Sequence, residues 1–309
     1  MSGIYIHIPF CKKACHYCNF HFSTNQNSKL SFIKAVCQEL KLRSYEYSTK
    51  EIQTIYFGGG TPTVLEVSEL SIILDVIDDI YNVSINPEVT LEANPDDLDS
   101  DTIIALSKTR INRLSIGIQS FHDSDLVSMN RAHDSEEAKQ CLKIAASYFD
   151  NITIDLMYGM PAMTVELWSH NLQTAFSFGV KHLSCYAMTV EPKTALEHFI
   201  EKGCHPPMDD ELAAQHFKVL MEETSQQGLI HYETCSFGSP GYFSKHNTSY
   251  WLGKPYLGVG PSAHSFDGKK RSWNIANNSK YIKSIEASVL PSESEILSIE
   301  NRFNEYVMT

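Results

Sequence analysis

Two rhythms of apolar residues alternate along the first two thirds of the chain. Short β-rich runs, "GIYIHIP" (3–9), "TIYFGGG" (54–60), "EVTLEANP" (88–95), "NRLSIGIQS" (112–120), "NITIDLMYGMP" (151–161) and "KHLSCYAMTVEP" (181–192), predict six strands. Between them apolar positions recur at helical spacing, as with Ile33, Val36, Cys37 and Leu40. Further helices are expected over 68–81, 100–109, 135–149, about 164–178 and 210–228, the second and third of these segments opening on serine caps at Ser100 and Ser135. Six successive βα units imply an α/β fold with a parallel sheet, and six rather than eight favour an incomplete barrel. In such sheets chemistry gathers at the C-terminal strand ends. After about residue 230 the rhythm breaks into a segment rich in glycine, aromatics and histidine.

Length and composition narrow the function. The 309 residues, 42% hydrophobic, suffice for one large α/β domain with a substantial core. A formal net charge of −12 disfavours nucleic acid as a partner. No apolar run reaches eighteen residues, so no transmembrane segment is expected, and the N-terminus lacks the pattern of a secretory signal. A reducing, cytoplasmic setting follows, where clustered thiols signal metal or redox chemistry more often than disulfides.

Such a cluster follows the first strand. In "FCKKACHYCNFHF", Cys11, Cys15 and Cys18 fall within eight positions with no fourth cysteine close by. Their spacing leaves three readings open. Three thiolates can bind three irons of a four-iron cluster, with the last iron free for an exchangeable ligand. They can hold zinc with His16 or His21 as fourth ligand. Or they bind no metal, in a non-metal α/β binding protein. Cys37, Cys141, Cys185, Cys204 and Cys235 are scattered and read as small hydrophobes. The three glycines of "YFGGGTPT" (56–63) stand at a strand end, where they permit close backbone approach. No Gly-Lys-Ser/Thr follows, so a P-loop is not indicated.

Cys-x3-Cys-x2-Cys with an aromatic, Tyr17, before its last cysteine resembles the signature of the radical S-adenosylmethionine superfamily. That resemblance implies a (β/α)6 partial TIM-like barrel, a [4Fe–4S] cluster on Cys11, Cys15 and Cys18, and S-adenosyl-L-methionine on the open iron, cleaved to methionine and a 5′-deoxyadenosyl radical. It implies contacts to S-adenosylmethionine from Tyr5, Tyr17, Gly58, Gly59, Gly60 and Thr61. Glu92 in "LEANP", Gln119 in "SIGIQSF", Arg131 in "NRAH" and Asp155 in "IDLMYGMP" resemble the polar positions of a narrower group, the oxygen-independent coproporphyrinogen oxidase family. There they contact the same cofactor.

Within that family the oxidases carry a fourth cysteine where this chain has Phe20, and their motif lies further from the N-terminus. Both departures resemble the branch of heme chaperones, as does "HNTSYW" (246–251). The resemblance implies heme as bound cargo, with His246, Tyr250 and Trp251 contacting it, a heme acceptor protein, and a reductant such as flavodoxin or ferredoxin. His264 occupies a position that in relatives lies near the cofactor. Oxidative decarboxylation of coproporphyrinogen III is the alternative. The expected organisation is a radical SAM core over 1–235, an extension over 236–275 closing the barrel mouth near the cysteines, and over 276–309 the start of a helical C-terminal domain that the family usually continues.

Overall fold

The computed structural model describes residues 2–47 and 50–308. Strand and helix alternate through β1 (Ser2–Ile8), α1 (Lys29–Leu42), β2 (Ile52–Gly59), α2 (Val67–Ile80), β3 (Val83–Ala93), α3 (Ser100–Leu106), β4 (Arg113–Gln119), α4 (Asp123–Ser128), α5 (Ser135–Tyr148), β5 (Ile152–Tyr158), α6 (Val165–Ser177) and β6 (His182–Ala187). These six strands pair in parallel, in sequence order. The α/β, partial-barrel architecture expected from the sequence is the one observed.

The remainder is more ordered than its broken rhythm suggested. It comprises α7 (Ala195–Glu201), α8 (Asp210–Gln226), β7 (Ile230–Glu233), β8 (Ser236–Gly238), α9 (Lys245–Trp251), β9 (Tyr256–Val259), β10 (His264–Phe266), β11 (Lys270–Asn274), α10 (Asn278–Glu286), β12 (Ser292–Ile296) and α11 (Ile299–Met308). The hairpin β7–β8 adds antiparallel to β6, while β9 adds parallel to β1 and carries β10–β12 beyond it. All twelve strands thus form one sheet. Among the described residues no helix is long and apolar enough to cross a membrane.

The central strands are buried on both faces, yet the two faces differ in chemistry. Ile4, Ile6, Ile55, Phe57, Leu91, Leu114, Ile116, Ile154 and Leu183 form the apolar layer beneath the helices. The alternate positions are polar: Thr54, Thr90, Arg113, Thr153 and His182 are each at most 1% exposed. Because side chains alternate across a strand, these residues line the inside of the barrel. Three of them bond one another from strand to strand, Arg113 with Thr153, and Thr153 with His182 at 3.0 Å.

Two helix caps differ from expectation. Asp99, not Ser100, caps α3 by accepting from Thr102 N–H, and Asp134, not Ser135, caps α5 in a reciprocal capping box with Glu137. A carboxylate one residue upstream reaches the free amides of the first turn, and Ser135 N–H instead donates to Asp123 at 2.8 Å.

Candidate functional site

β1 ends in a loop that returns beside its own start: Phe10 bridges Ser23, and Cys11 N–H donates to Ser23 O at 3.1 Å. This holds the cysteine loop over the C-terminal ends of β1–β5. The loop after β4 clamps its other side, with Asn130 donating to Ala14 O at 2.7 Å, Lys13 to Arg131 O at 3.0 Å, and His16 N–H to Met129 O at 3.1 Å.

Beneath the loop lies a cavity of about 310 Å³ lined by all three clustered cysteines. Tyr17, Gly59, Gly60, Thr61, Glu92, Gln119, Arg131 and Asp155 line it as well, so the structure brings most of the proposed cofactor residues together. Tyr5 and Gly58 lie deeper: the Tyr5 ring stacks on Tyr56 at 6.0 Å, and a Cβ on Gly58 would meet Tyr56, Glu92 and Tyr5 within 3.0 Å.

A hydrogen-bonded arc crosses the strand ends. Arg131 donates to Cys15 Sγ at 3.3 Å, to Asn94 Oδ1 at 2.6 Å and to Gly117 O at 2.8 Å. Asn94 donates on to Thr61 Oγ1 at 3.1 Å, and Thr61 to Cys11 Sγ at 3.5 Å. Arg131 Nε is buried and without a partner in the protein, and so remains a free donor beside the cavity. Gln119 sits in a left-handed conformation, φ +68°, where β4 slips register against β5. Such strain persists only where its surroundings impose it.

Glu92 and Asp155 form the cavity floor. Glu92 accepts from the Tyr56 hydroxyl at 2.8 Å and from Gly59 N–H at 3.1 Å. Burial raises its pKa, while these donors and the Arg113 charge oppose the rise. Asp155, with Ser115 as a distant donor at 3.4 Å, is pushed up to about 7, first by burial and then by the charge of Glu92. Arg113 lies below both, 1% exposed.

The thiols suit a metal cluster. All three cysteines are free and partly buried, and burial pushes Cys11 up to about 11. Burial alone makes the Cys11 thiol hold its proton, so a metal bound there has to displace that proton. Gly60 passes so close that a Cβ there would stand 3.0 Å from Cys11 Sγ and 2.6 Å from Phe10 O. Among the described residues no three His, Cys, Asp or Glu side chains converge tightly enough for a single metal ion. Three free thiols facing one cavity are the donor set of a four-iron cluster that keeps one iron open for an exchangeable ligand. The two histidines considered for zinc are turned elsewhere: His16 bonds Ser128 O at 3.0 Å, and His21 bonds Asn278 at 2.7 Å.

The residues expected to contact heme, His246, Tyr250 and Trp251, lie on α9, apart from this group. α9 sits against the starts of β1–β3, the end of the barrel opposite the cysteines. His246 N–H donates to Glu88 at 2.9 Å, and its ring adjoins Gly3. The imidazole is fully buried, with Nδ1 bonded to Thr54 Oγ1 at 2.8 Å and Nε2 to the Tyr250 hydroxyl at 2.8 Å. No ring nitrogen is free for iron in this arrangement. Tyr250 and Trp251 are 36% and 39% exposed. His264 is exposed on β10, its ring 6.1 Å from that of Trp273.

Asn94, Ser115, Gly117, Met157 and Tyr186 also line the cavity and were not singled out from the sequence. The available signal was alternation: each strand pairs apolar outward positions with polar or small inward ones, as in "RLSIG" and "TIDLM". Phe20, 69% exposed, lies on the cavity rim.

Residues 5–175 match the model of the radical SAM superfamily. Heme chaperone HemW of Bacillus subtilis is 35% identical over 296 residues, covering 94% of this chain and 78% of that protein. Heme chaperone HemW of Escherichia coli K12 is 32% identical over 267 residues, covering 85% and 69%. Among solved structures, the radical SAM coproporphyrinogen III oxidase HemN of Escherichia coli superposes with a TM-score of 0.86 at 22% identity, covering 99% of this chain and 74% of that one. At that identity the likeness speaks to the fold alone.

Proposed function

The chain belongs to the radical SAM superfamily, in its HemW/HemN-like group, and on that premise we propose that it is a heme chaperone that ligates a [4Fe–4S] cluster through Cys11, Cys15 and Cys18 and binds S-adenosylmethionine beside it. The observation that carries the cofactor reading is one cavity faced by three free thiols, an arginine with an uncommitted Nε, and two half-buried carboxylates. When bound, the cluster supplies one electron to the sulfonium of S-adenosylmethionine.

The chain's own residues bind and orient. Arg131 offers Nε to a carboxylate while one NH2 group stays tied to Asn94 and Gly117 and the other to Cys15 Sγ, so the guanidinium is held in place. Gly59, Gly60 and Thr61 bring backbone close to the cysteines, leaving room for a ligand amino group. Glu92 and Asp155 accept hydrogen bonds from sugar hydroxyls, and Gln119 and Tyr17 complete the walls. Tyr5 and Gly58 act from below, by keeping Tyr56 and Glu92 in place.

Heme as cargo rests on the names of the relatives at 32–35% identity and does not use His246, whose nitrogens are engaged. A heme acceptor protein and a flavodoxin- or ferredoxin-like reductant belong to this proposal, as does the division into a core over 1–235 and appended parts over 236–275 and 276–309. Phe20 at the rim favours the chaperone over the oxidase, because it leaves the cysteine loop three thiols and no fourth.

The test is anaerobic reconstitution with iron and sulfide, then titration with S-adenosylmethionine and heme. Thiolate-to-iron absorbance with four irons per chain, and saturable binding of both ligands, are expected. A colourless product would overturn the cofactor reading, and a coloured one that ignores heme would overturn the chaperone.

A further inference from the structure

We infer that His246 is a positioning residue: from the closed end of the barrel it fixes Tyr56, and through Tyr56 the Glu92 carboxylate on the cavity floor. The inference rests on reading that cavity as the S-adenosylmethionine site.

Contacts run unbroken from one end of the barrel to the other. The His246 ring cannot turn, because Thr54 holds Nδ1 and Tyr250 holds Nε2, each at 2.8 Å. It stacks on the Tyr56 ring with centroids 5.0 Å apart and planes at 30°. Tyr56 also stacks on Tyr5, at 6.0 Å and 30°. Two such contacts leave the Tyr56 ring a single place to lie, and its hydroxyl then donates to Glu92 Oε1 at 2.8 Å. The other carboxylate oxygen accepts from Gly59 N–H at 3.1 Å. Two donors thus set the plane of the Glu92 carboxylate, and one of them is only as well placed as the stack beneath it.

The chain makes specific provision for an imidazole here. Gly3 has no Cβ where one would stand 2.5 Å from Thr54 Oγ1 and 3.0 Å from the His246 ring. Glu88 accepts from the backbone N–H of both Lys245 and His246, at 3.0 and 2.9 Å, and Ser244 caps α9 by accepting from Asn247 N–H. The helix is therefore anchored at its N-terminus, where a carboxylate is favoured. A phenylalanine would stack on Tyr56 but leave Thr54 and the Tyr250 hydroxyl without their buried partner. Burial lowers the His246 pKa to about 3, so the ring stays neutral.

The test is a double-mutant cycle on the reconstituted full chain, with S-adenosylmethionine binding followed by calorimetry. His246→Gln and Tyr56→Phe are each expected to weaken binding about fivefold or more, the scale of one buried hydrogen bond to a charged group, with iron–sulfur absorbance unchanged. In the Tyr56→Phe background, His246→Gln is expected to add nothing, because its effect passes through the missing hydroxyl. A generally destabilising change would weaken both backgrounds alike, and that outcome would overturn the inference. So would folded His246→Gln protein that binds within twofold of the parent. If His246→Gln does not fold, Tyr250→Phe, which deletes only the hydroxyl on Nε2, stands in for it under the same criteria. The heme complex provides an independent readout: its Soret band is expected to be the same in variant and parent, and a displaced band would make His246 an iron ligand instead. A parent that takes up no S-adenosylmethionine would overturn the functional reading and this inference together. A binding parent with an equally binding variant overturns the inference alone.

Discussion

Cys15 shows how a single side chain is prepared for its role. Its sulfur accepts from Arg131, and Cys11 accepts from Thr61, so two thiols of the loop lie within reach of fixed donors that suit a thiolate. Replacing Cys11, Cys15 or Cys18 by serine is expected to abolish iron–sulfur absorbance after reconstitution, since a hard hydroxyl is a poor ligand for this soft centre. Cys141→Ser, on α5 and away from the cavity, is expected to retain it, and the iron content of the two preparations decides. Asp155 gives a second residue-level expectation. Its pKa near 7 lies above the ordinary carboxylate value of about 3.9. Between the two values the folded chain keeps a proton that the unfolded chain has lost, so stability falls as pH rises through that window and is lowest above 7. Asp155→Asn removes the penalty. Its thermal midpoint is expected to exceed that of the parent at pH 8, with the gap closing as pH falls toward 4. Equal midpoints at pH 8 would rule this out.

At the scale of elements, carboxylates anchor the starts of α3, α5 and α8. Asp134 accepts from Glu137 N–H at 2.8 Å while Glu137 accepts from Asp134 N–H at 3.0 Å. Asp134→Ala is expected to cost about 0.5–2 kcal/mol, measured as a shift of the urea midpoint at constant slope. Ser135 precedes the same helical pattern and looks like a cap in sequence, but its side chain makes no cap. Glu88 works similarly for α9 from a strand distant in sequence, a pairing that no local pattern announces.

At the scale of the molecule, one buried network joins the barrel to the strands appended beyond β1. Glu39 on α1 accepts from Asn274 at 2.7 Å, Tyr281 at 2.6 Å, Gly260 N–H at 2.9 Å and Arg43 at 3.3 Å. Arg43 in turn donates to Gly258 O at 2.9 Å and Ser265 at 3.2 Å. Glu39 is 0% exposed, so Glu39→Ala leaves Asn274, Tyr281 and Gly260 N–H without their buried acceptor, while Arg43 keeps Glu46 at 2.9 and 3.0 Å. A loss of at least about 1–3 kcal/mol is expected, the scale of a buried donor left unsatisfied, readable by denaturant titration. The same network brings β9–β11 against β1, behind the cysteine loop. At this scale the reaction outcome is also testable: the reconstituted protein is expected not to convert coproporphyrinogen III to protoporphyrinogen IX under reducing, anaerobic conditions. Turnover would favour the oxidase.

The sequence by itself determined the six βα units, the place of the cysteine loop after β1, and most of the cavity residues. These follow from short-range rules: alternation and helical spacing record which face of each element is buried, and motif residues at strand ends share one end of a parallel sheet. Asn94, Ser115 and Arg113 were present in the same alternation, yet a polar residue inside a strand acquires meaning only when neighbouring strands close a polar interior around it. Tertiary structure alone decided the position of "HNTSYW". Its local pattern suits a loop over the mouth as well as a helix at the opposite end. The choice between them was made by partners up to 243 positions earlier in the chain (246 − 3): Gly3 makes room for the ring, Thr54 bonds it, and Glu88 receives its backbone. Contacts at that separation leave no periodicity in the sequence, so the histidine that the resemblance reads as a heme contact is, once folded, buried and bonded through both ring nitrogens.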